Sequence, residues 1–400
     1  MKNNSGGVLE AFQIRNFRFQ FGADLLVAWA IEMEVIILAW YILISTDSAI
    51  LVALVGALRF CGTVISPFIG ALADRRSRRT LLIGTRGIFA LLACVLATAG
   101  ILGFLTPLLV FGVVTVAGFL RPVDMMLRQS LIADGVPARI LSNAMGFFRT
   151  TLDSARLFGA LAGAGLMGAI GIGNAYLAVT VLYIASVCAT SFITEPARAR
   201  VTATSRPLHD LRAAFRLARD DHQLLFPLLI AFLINLTVLA ITGGLLPLIA
   251  RDTYGLGADG LGFMVAAYAC GALLGSVLTA TALRNFKPER LAIVFLAIWH
   301  VLMIAFAVVT EASTGLVLLF ALGLSSNLVL VPVSVTLLRD TPPEFRARIM
   351  GLRQLAVLGL PLGLMVSGAL ITRIGLGETL MLYAGFGLVC SVALWRIWRP

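Results

Sequence analysis

Residues 51–101 read LVALVGALRFCGTVISPFIGALADRRSRRTLLIGTRGIFALLACVLATAGI. Two long apolar runs flank one compact basic loop, GALADRRSRR, from Gly70 to Arg79. The hydrocarbon layer of a bilayer is about 30 Å thick and an α-helix rises about 1.5 Å per residue, so roughly 20 apolar residues make one crossing. The stretch therefore reads as a membrane hairpin: two spanning helices joined by a loop that carries four arginines on one face of the bilayer.

The same pattern extends in both directions. Spans are expected near 24–44, 49–70, 80–101, 106–126, 143–168 and 174–194, and then near 223–249, 259–282, 290–309, 313–337, 346–371 and 378–397. Between the two sets lies the longest polar stretch, EPARARVTATSRPLHDLRAAFRLARDD, whose second half has helical spacing at Leu208, Leu211, Phe215 and Leu217. The expected organisation is an amino-terminal six-helix bundle over 1–194, a linker over 195–222 and a carboxy-terminal six-helix bundle over 223–400. Composition agrees, since 400 residues that are 60% hydrophobic and 13% charged, with mean hydropathy +0.98, require lipid as solvent. The apolar stretch that follows the polar amino-terminal lead is longer than a signal-peptide core, and no cleaved targeting segment is expected.

Arginine and lysine resist translocation, so their placement sets orientation. Arg15, Arg18, Arg75, Arg76, Arg78, Arg79, Arg128, Arg139, the arginines from Arg198 to Arg219, Arg284, Lys287, Arg290, Arg339, Arg346, Arg348, Arg396 and Arg399 all fall on one side. The other side receives Arg251 and Arg373. Both termini are thus expected in the cytoplasm. The formal charge of +11 follows this sidedness and forms no continuous basic stripe interleaved with aromatics, which argues against a nucleic-acid partner. Lys2 and Lys287 are the only lysines among 31 basic residues, a bias that suggests a bacterial inner membrane.

Cys61, Cys94, Cys188, Cys270 and Cys390 lie within apolar segments without CxxC spacing and are expected to be buried, unpaired hydrophobes. His209, His222 and His300 are scattered, so neither a metal site nor a cofactor is expected, and His300 is expected at the periphery of any site. Trp29, Trp40 and Tyr41 read as interfacial or packing groups. No nucleophile–base pair or cofactor loop points to an enzyme.

The loop from Gly70 to Arg79 resembles the loop motif of the major facilitator superfamily, in which a glycine is followed four residues later by Asp-Arg and then by further basic residues. Gly70, Asp74, Arg75, Arg78 and Arg79 match, and Ser77 stands where a second glycine is usual. A weak internal repeat agrees: PARILSNAMGFFR at 137–149 is similar to FRARIMGLRQ at 345–354, each opening the fifth helix of its half. The resemblance implies an all-α integral membrane fold of twelve transmembrane helices in two six-helix bundles. It also implies a cytoplasmic gate in which Asp74 and Arg78 engage a carboxylate near the inner end of the fourth span, here Asp124. The fifth-span stretch LFGALAGAGLMGAIG is only partly like the Gly-Pro-rich helix of the family's exporters, because the proline is missing; packing of small residues is the other reading.

Charges inside spans are costly unless paired or hydrated, and so they mark mechanism. Glu32 and Glu34 in the first span and Arg59 in the second lie at similar depth, so either glutamate can pair with Arg59. The two glutamates point about 200° apart around the helix, and only one can face a given cavity. Glu32, Glu34 and Asp153 are candidate proton-coupling groups. Arg149, Asp153 and Arg156 share one face of the fifth span. Arg59, Arg121, Arg149, Arg156, Asn235, Asn327 and Gln354 are candidate substrate-cavity residues. At the offset that aligns the repeats, Arg149 and Asp153 fall on Gln354 and Leu358, so coupling is expected in the first bundle.

The expected function is secondary active transport of a small molecule by alternating access, coupled to protons or another ion, in a chain that works as a monomer. The general run of the amino-terminal half resembles the bacterial efflux branch that includes macrolide and siderophore exporters, which implies proton-coupled efflux of a drug-like or siderophore-like compound. Proton-coupled uptake of a small organic anion, favoured by the arginines, and a non-transporting membrane sensor with the same fold are the alternatives.

Overall fold

The protein is described by a computed structural model covering residues 9–64, 77–194, 207–283, 286–342 and 345–398. Among these residues every regular element is helical. Helix α1 is Arg15–Thr46, and α2 is Ala49–Leu58, continued by a 3-10 turn over Cys61–Val64. Helix α3 is Arg78–Ile101 and α4 is Pro107–Gly135. Helix α5 begins at Leu141–Ser154, passes through a π turn at Ala155–Gly159 and runs to 170; α6 occupies 172–191. The break between them is the single residue Gly171, whose φ of 78° and ψ of 168° suit a residue without a Cβ.

Helix α7, Pro207–Asp220, lies in the linker. Helix α8 begins at His222–Leu236 and continues through π turns at Ile241–Leu245 and Ile249–Thr253. Then come α9, Ala258–Ala280; α10, Pro288–Val308; and α11, Ala312–Asp340. Helix α12 runs from Arg346–Leu355 through a 3-10 turn into Gly359–Ile374, and α13 is Leu376–Trp398. Among the described residues ten apolar helical stretches are long enough to cross a membrane. One of them, Asn143–Ser191, contains both α5 and α6, and the shorter apolar helix Ala49–Thr63 is α2. The result is an all-α membrane fold of twelve spans, with α7 as the linker helix.

Local chemistry sets where the helices begin. The side chains of Ser48, Ser77, Thr106 and Asp221 accept from the backbone N–H groups of Leu51, Thr80, Leu109 and Gln223, which would otherwise be orphaned at helix starts. Ser77, the departure from the loop motif, is thus the cap of α3. Helix α4 runs nine residues beyond the expected limit of the fourth span, carrying Arg128 into the protein interior instead of the loop; a span's apolar run ends where lipid ends, while the helix continues inside the fold.

The exterior is apolar: Leu108, Phe263, Val317 and Val389 are all more than half exposed. Cys94, Cys188 and Cys270 are also exposed and Cys61 and Cys390 half-buried, all with free thiols, which corrects the expectation that they are buried. In lipid an apolar residue has no reason to choose the interior, so hydrophobicity alone does not report which way it faces.

By packing, the chain divides into two compact units: 1–38 with 65–204, and 39–64 with 205–400. The division at 194 and 223 drawn from the sequence places 39–64 with the first six spans, whereas these residues pack with the second unit. In the first unit α3 packs along α6, and α5 packs closely on α1 where a Cβ on Gly163 would stand 2.8 Å from Met33 Cα. In the second unit α2 packs on α12, and Arg251 at the end of α8 bonds Asp47 at 2.7 Å. There too α9 and α11 cross in backbone contact: a Cβ on Gly323 would stand 1.9 Å from the Tyr268 carbonyl oxygen, and one on Gly271 equally close to that of Phe320. His300, expected at the periphery, is fully buried in this unit, its ring within hydrogen-bonding reach of Thr237, Ser391 and the Leu296 carbonyl.

Backbone contact of this kind leaves no room for a side chain. Gly323→Val is expected to destabilise the protein by roughly 1–3 kcal/mol or more, whereas Gly165→Val, with nothing within 4 Å of its Cβ, leaves stability near wild type. Thermal unfolding of both variants in one detergent checks this, and equal melting would refute the close-crossing account.

Candidate functional site

The first unit carries two layers of charge along the same helices. The layer nearer the arginine-rich ends of the helices is built from Asp24 on α1, Arg86 on α3, and Asp124 and Arg128 on α4, all at most 2% exposed. Arg86 donates to Asp24 Oδ1, approaches Asp124 Oδ1 at 3.3 Å from Nε, and donates through Nη1 to Thr190 Oγ1 on α6 at 2.5 Å. Arg128 Nε donates to Asp124 Oδ2 at 2.5 Å, one helical turn away. Gln20 Nε2 donates to the Arg128 carbonyl at 2.8 Å, adding another tie between α1 and α4. Two carboxylates and two guanidiniums balance, as burial of ions demands.

Ten residues further along α1, roughly 15 Å by helical rise, lies the second layer. Glu34 is 5% exposed. Its Oε2 accepts from the Tyr183 hydroxyl on α6 at 2.8 Å and lies 3.7 Å from Arg121 Nη2 on α4. Arg121 keeps 17% of its side chain exposed. Two turns before Tyr183, Tyr176 is fully buried, and its hydroxyl has no partner among the described residues.

Glu32, half-buried, faces a different helix: a Cβ on Gly159 would sit 3.0 Å from the Glu32 Cβ. That glycine closes the π turn of α5, and π turns often mark working sites because they re-aim side chains on an otherwise regular helix. Trp29 packs on the same turn, its indole N–H 3.4 Å from Ser154 Oγ and its ring 5.8 Å from that of Phe158. Just before the turn, Asp153 is flanked by Arg149 Nε at 3.2 Å and by Arg156 Nη1 at 3.9 Å. Both arginine side chains are 52% exposed and Asp153 only 14%, so this face presents net positive charge.

The sequence-based candidates separate accordingly. Glu34 and Arg121 meet, with Tyr183 as a partner that sequence reading missed. Arg149, Asp153 and Arg156 meet as their spacing on one helical face implies. Arg59 belongs to the second unit, where its guanidinium lies 5.8 Å from the Phe60 ring centre. Asn235 donates to the Ala231 carbonyl of its own helix, Asn327 donates across to the Ala272 carbonyl of α9, and Gln354 is exposed. Of the gate candidates, Gly70, Asp74 and Arg75 lie outside the described residues. Arg78 bonds Asp134 at 2.5 Å, near the far end of α4, while Asp124 is engaged by Arg86 and Arg128. Asp24 and Arg86 were also missed, though each is a charge set within or at the edge of an apolar run.

The Major Facilitator Superfamily model matches residues 22–357 and 228–400. The chain is a member of that superfamily. No curated protein matches it in sequence. Solved structures with the same fold include the nucleoside transporter NupG, at 16% identity and a TM-score of 0.70 over 96% of this chain and 100% of that one. A D-xylose-proton symporter is similar at 14% identity and 0.72 over 95% and 96%, and the POT family transporter PepTSo at 12% and 0.74 over 96% and 98%. The protein is thus a multi-pass membrane protein with a major facilitator transporter fold, and the family implies a small-molecule substrate.

The charge balance of the first layer predicts an ordering of variants. Arg86→Leu leaves two buried carboxylates facing one guanidinium and should cost about 3–5 kcal/mol. Asp24→Leu combined with Arg86→Leu leaves Asp124 and Arg128 as a neutral pair, so the double variant should melt at a higher temperature than Arg86→Leu alone. The reverse order in a thermal unfolding assay would show that charge compensation is not what holds these helices.

Proposed function

We propose that this major facilitator protein is a proton-coupled secondary transporter working by alternating access as a monomer in a bacterial inner membrane, with both termini cytoplasmic, and that Glu34 carries the coupling proton. The observation that carries this reading is a carboxylate, almost fully buried in an apolar helix, whose neighbours are one neutral donor, Tyr183, and one cation, Arg121. Both neighbours converge on one carboxylate oxygen, Oε2, and each comes from a different helix. Movement of either helix, or a ligand that competes for Arg121 or Tyr183, would therefore act directly on Glu34 and let it exchange a proton. Glu32 and Asp153 are the other candidates for the role. A proton-coupled sugar symporter shares the fold, which supports coupling to protons here.

Export of a drug-like or siderophore-like compound is the direction we favour. Its support is the likeness of the amino-terminal half to the efflux branch. In that mode substrate and proton compete for Glu34, so substrate binding releases a proton. Gly70, Asp74, Arg75 and Arg78, with Asp124, would form the gate on the cytoplasmic side.

A second reading, uptake of a small organic anion, is favoured by a specific feature: Arg149 and Arg156 are half exposed and Arg121 is partly exposed, all in the same unit as Glu34. An anion drawn to Arg121 would free Glu34 to take up a proton, which is the logic of symport. In the second unit Arg59, Asn235, Asn327 and Gln354 remain candidate substrate-contacting residues.

The sign of the proton movement separates the readings. Purified protein in weakly buffered detergent is expected to release protons on addition of lipophilic cations, macrolides or siderophores, and Glu34→Gln is expected to abolish the release. Glu32→Gln and Asp153→Asn should retain it. Proton uptake on addition of simple carboxylates, again lost in Glu34→Gln, would replace export by anion symport. A ligand that binds without any proton movement would overturn proton coupling and bring back the non-transporting sensor.

A further inference from the structure

Among the described residues the linker helix α7 leaves one face without a partner, and its residues are of two kinds. Ala214 and Ala218 are buried, and the helix packs on the start of α12 and on α8. Arg212, Phe215, Arg216 and Arg219 are all exposed, Phe215 at 57%. Their spacing of three, four and seven from Arg212 places them on one face. Phe215, which its apolar character assigns to the packed side, thus points outward among arginines. Asp220 is also exposed, at the last position of the helix, and Asp221 follows as the cap of α8.

Depth is fixed by what α7 is joined to. Asp221 alone separates it from α8, whose apolar run begins at Leu224. The first turn of α8 is tied to the last turn of α13, where Phe226 stacks on Trp398 at 5.9 Å and the Trp398 indole donates to Gln223 at 3.2 Å, so α8 enters its apolar run at the level where α13 leaves its own. The carboxy-terminal end of α7 therefore lies at headgroup level. An exposed Phe between arginines on a helix at that depth is the pattern of an interfacial helix, with the ring reaching the acyl boundary and the guanidiniums meeting phosphates.

We propose that this face of α7 docks on the anionic phospholipid headgroups of its own leaflet, with Arg212, Arg216 and Arg219 as the phosphate-binding groups and Phe215 as the apolar anchor. Charge complementarity selects this occupant: three guanidiniums share the face with no carboxylate between them, and Asp220 lies beyond the last arginine. Docking would hold the linker, and the start of α12 on which it packs, against the membrane surface. The inference requires neither a substrate nor a direction of transport.

The test uses full-length protein in nanodiscs of phosphatidylcholine alone and of phosphatidylcholine mixed with phosphatidylglycerol, read by hydrogen–deuterium exchange of the amides in 211–219. Anionic lipid is expected to slow their exchange by about fivefold or more, the size of effect one surface arginine contributes, with no change in amides of α3. The difference should vanish in Arg212→Gln/Arg216→Gln/Arg219→Gln and at high salt, and persist in the matching lysine variant. It should also persist in Glu34→Gln, so that failure of the transport reading leaves this one standing. Equal exchange in the two lipids, or a lipid effect that survives in the glutamine variant, would overturn the proposal.

Discussion

In a bilayer a charge has nowhere to go but to another charge, and the first unit is organised around that constraint. Asp24, Arg86, Asp124 and Arg128 belong to three different helices, and Thr190 adds a fourth. Each ion satisfies its neighbours only when α1, α3, α4 and α6 occupy one relative placement. Van der Waals packing between apolar helices in lipid tolerates sliding, because the tails are as good a neighbour as another side chain. A buried set of ions does not, because a shift of one partner leaves an uncompensated charge. The cluster thus fixes register among helices whose apolar faces leave it open.

That fixed register is what gives the second layer its meaning. Glu34, Tyr183 and Arg121 lie on three of the same helices, further along each of them. Their geometry is inherited from the first layer. The difference between the layers is compensation: the first pairs two acids with two bases at full burial, whereas the second offers one acid, one neutral hydroxyl and an arginine that remains partly exposed. The first cluster is closed to solvent and its members contact one another. In the second layer the cation stays partly exposed, so whatever reaches Arg121 also acts on the acid beside it.

The spans were legible because roughly twenty apolar residues per crossing is a demand of the solvent and leaves a plain trace in composition. Neighbours along one helix were legible too, as with Arg149, Asp153 and Arg156, because helical periodicity fixes which of them share a face. Partners on different helices were not. Asp24 and Arg86 are 62 positions apart and each lies near a span end, where a charge is ordinarily a topology signal; only their burial together reveals the pair. The same ambiguity hid Arg128, which looks like another arginine of the basic side. The usable signal was arithmetic: two acids and two bases at similar depth in spans one, three and four are costly apart and neutral together. Facing direction was also illegible for apolar residues, as the exposed cysteines and Phe215 illustrate, because lipid accepts what a soluble core would have to bury.

The second unit makes the contrast sharper. Its buried polar side chains are mostly neutral and satisfied by backbone: Asn235, Thr237, Thr242 and Ser391 donate to carbonyls of their own helices, and Asn327 donates to α9. Groups of this kind hold helices together without a charge state to change. His300 likewise lies among neutral groups, its Nδ1 2.8 Å from the Leu296 carbonyl and its Nε2 3.1 Å from Thr237 Oγ1. The first unit, by contrast, brings acid and base together within its spans, as Glu34 with Arg121 and Asp24 with Arg86. On the proposed reading the coupling group resides where an acid and a base meet, and the neutral polar groups of the second unit hold helices together.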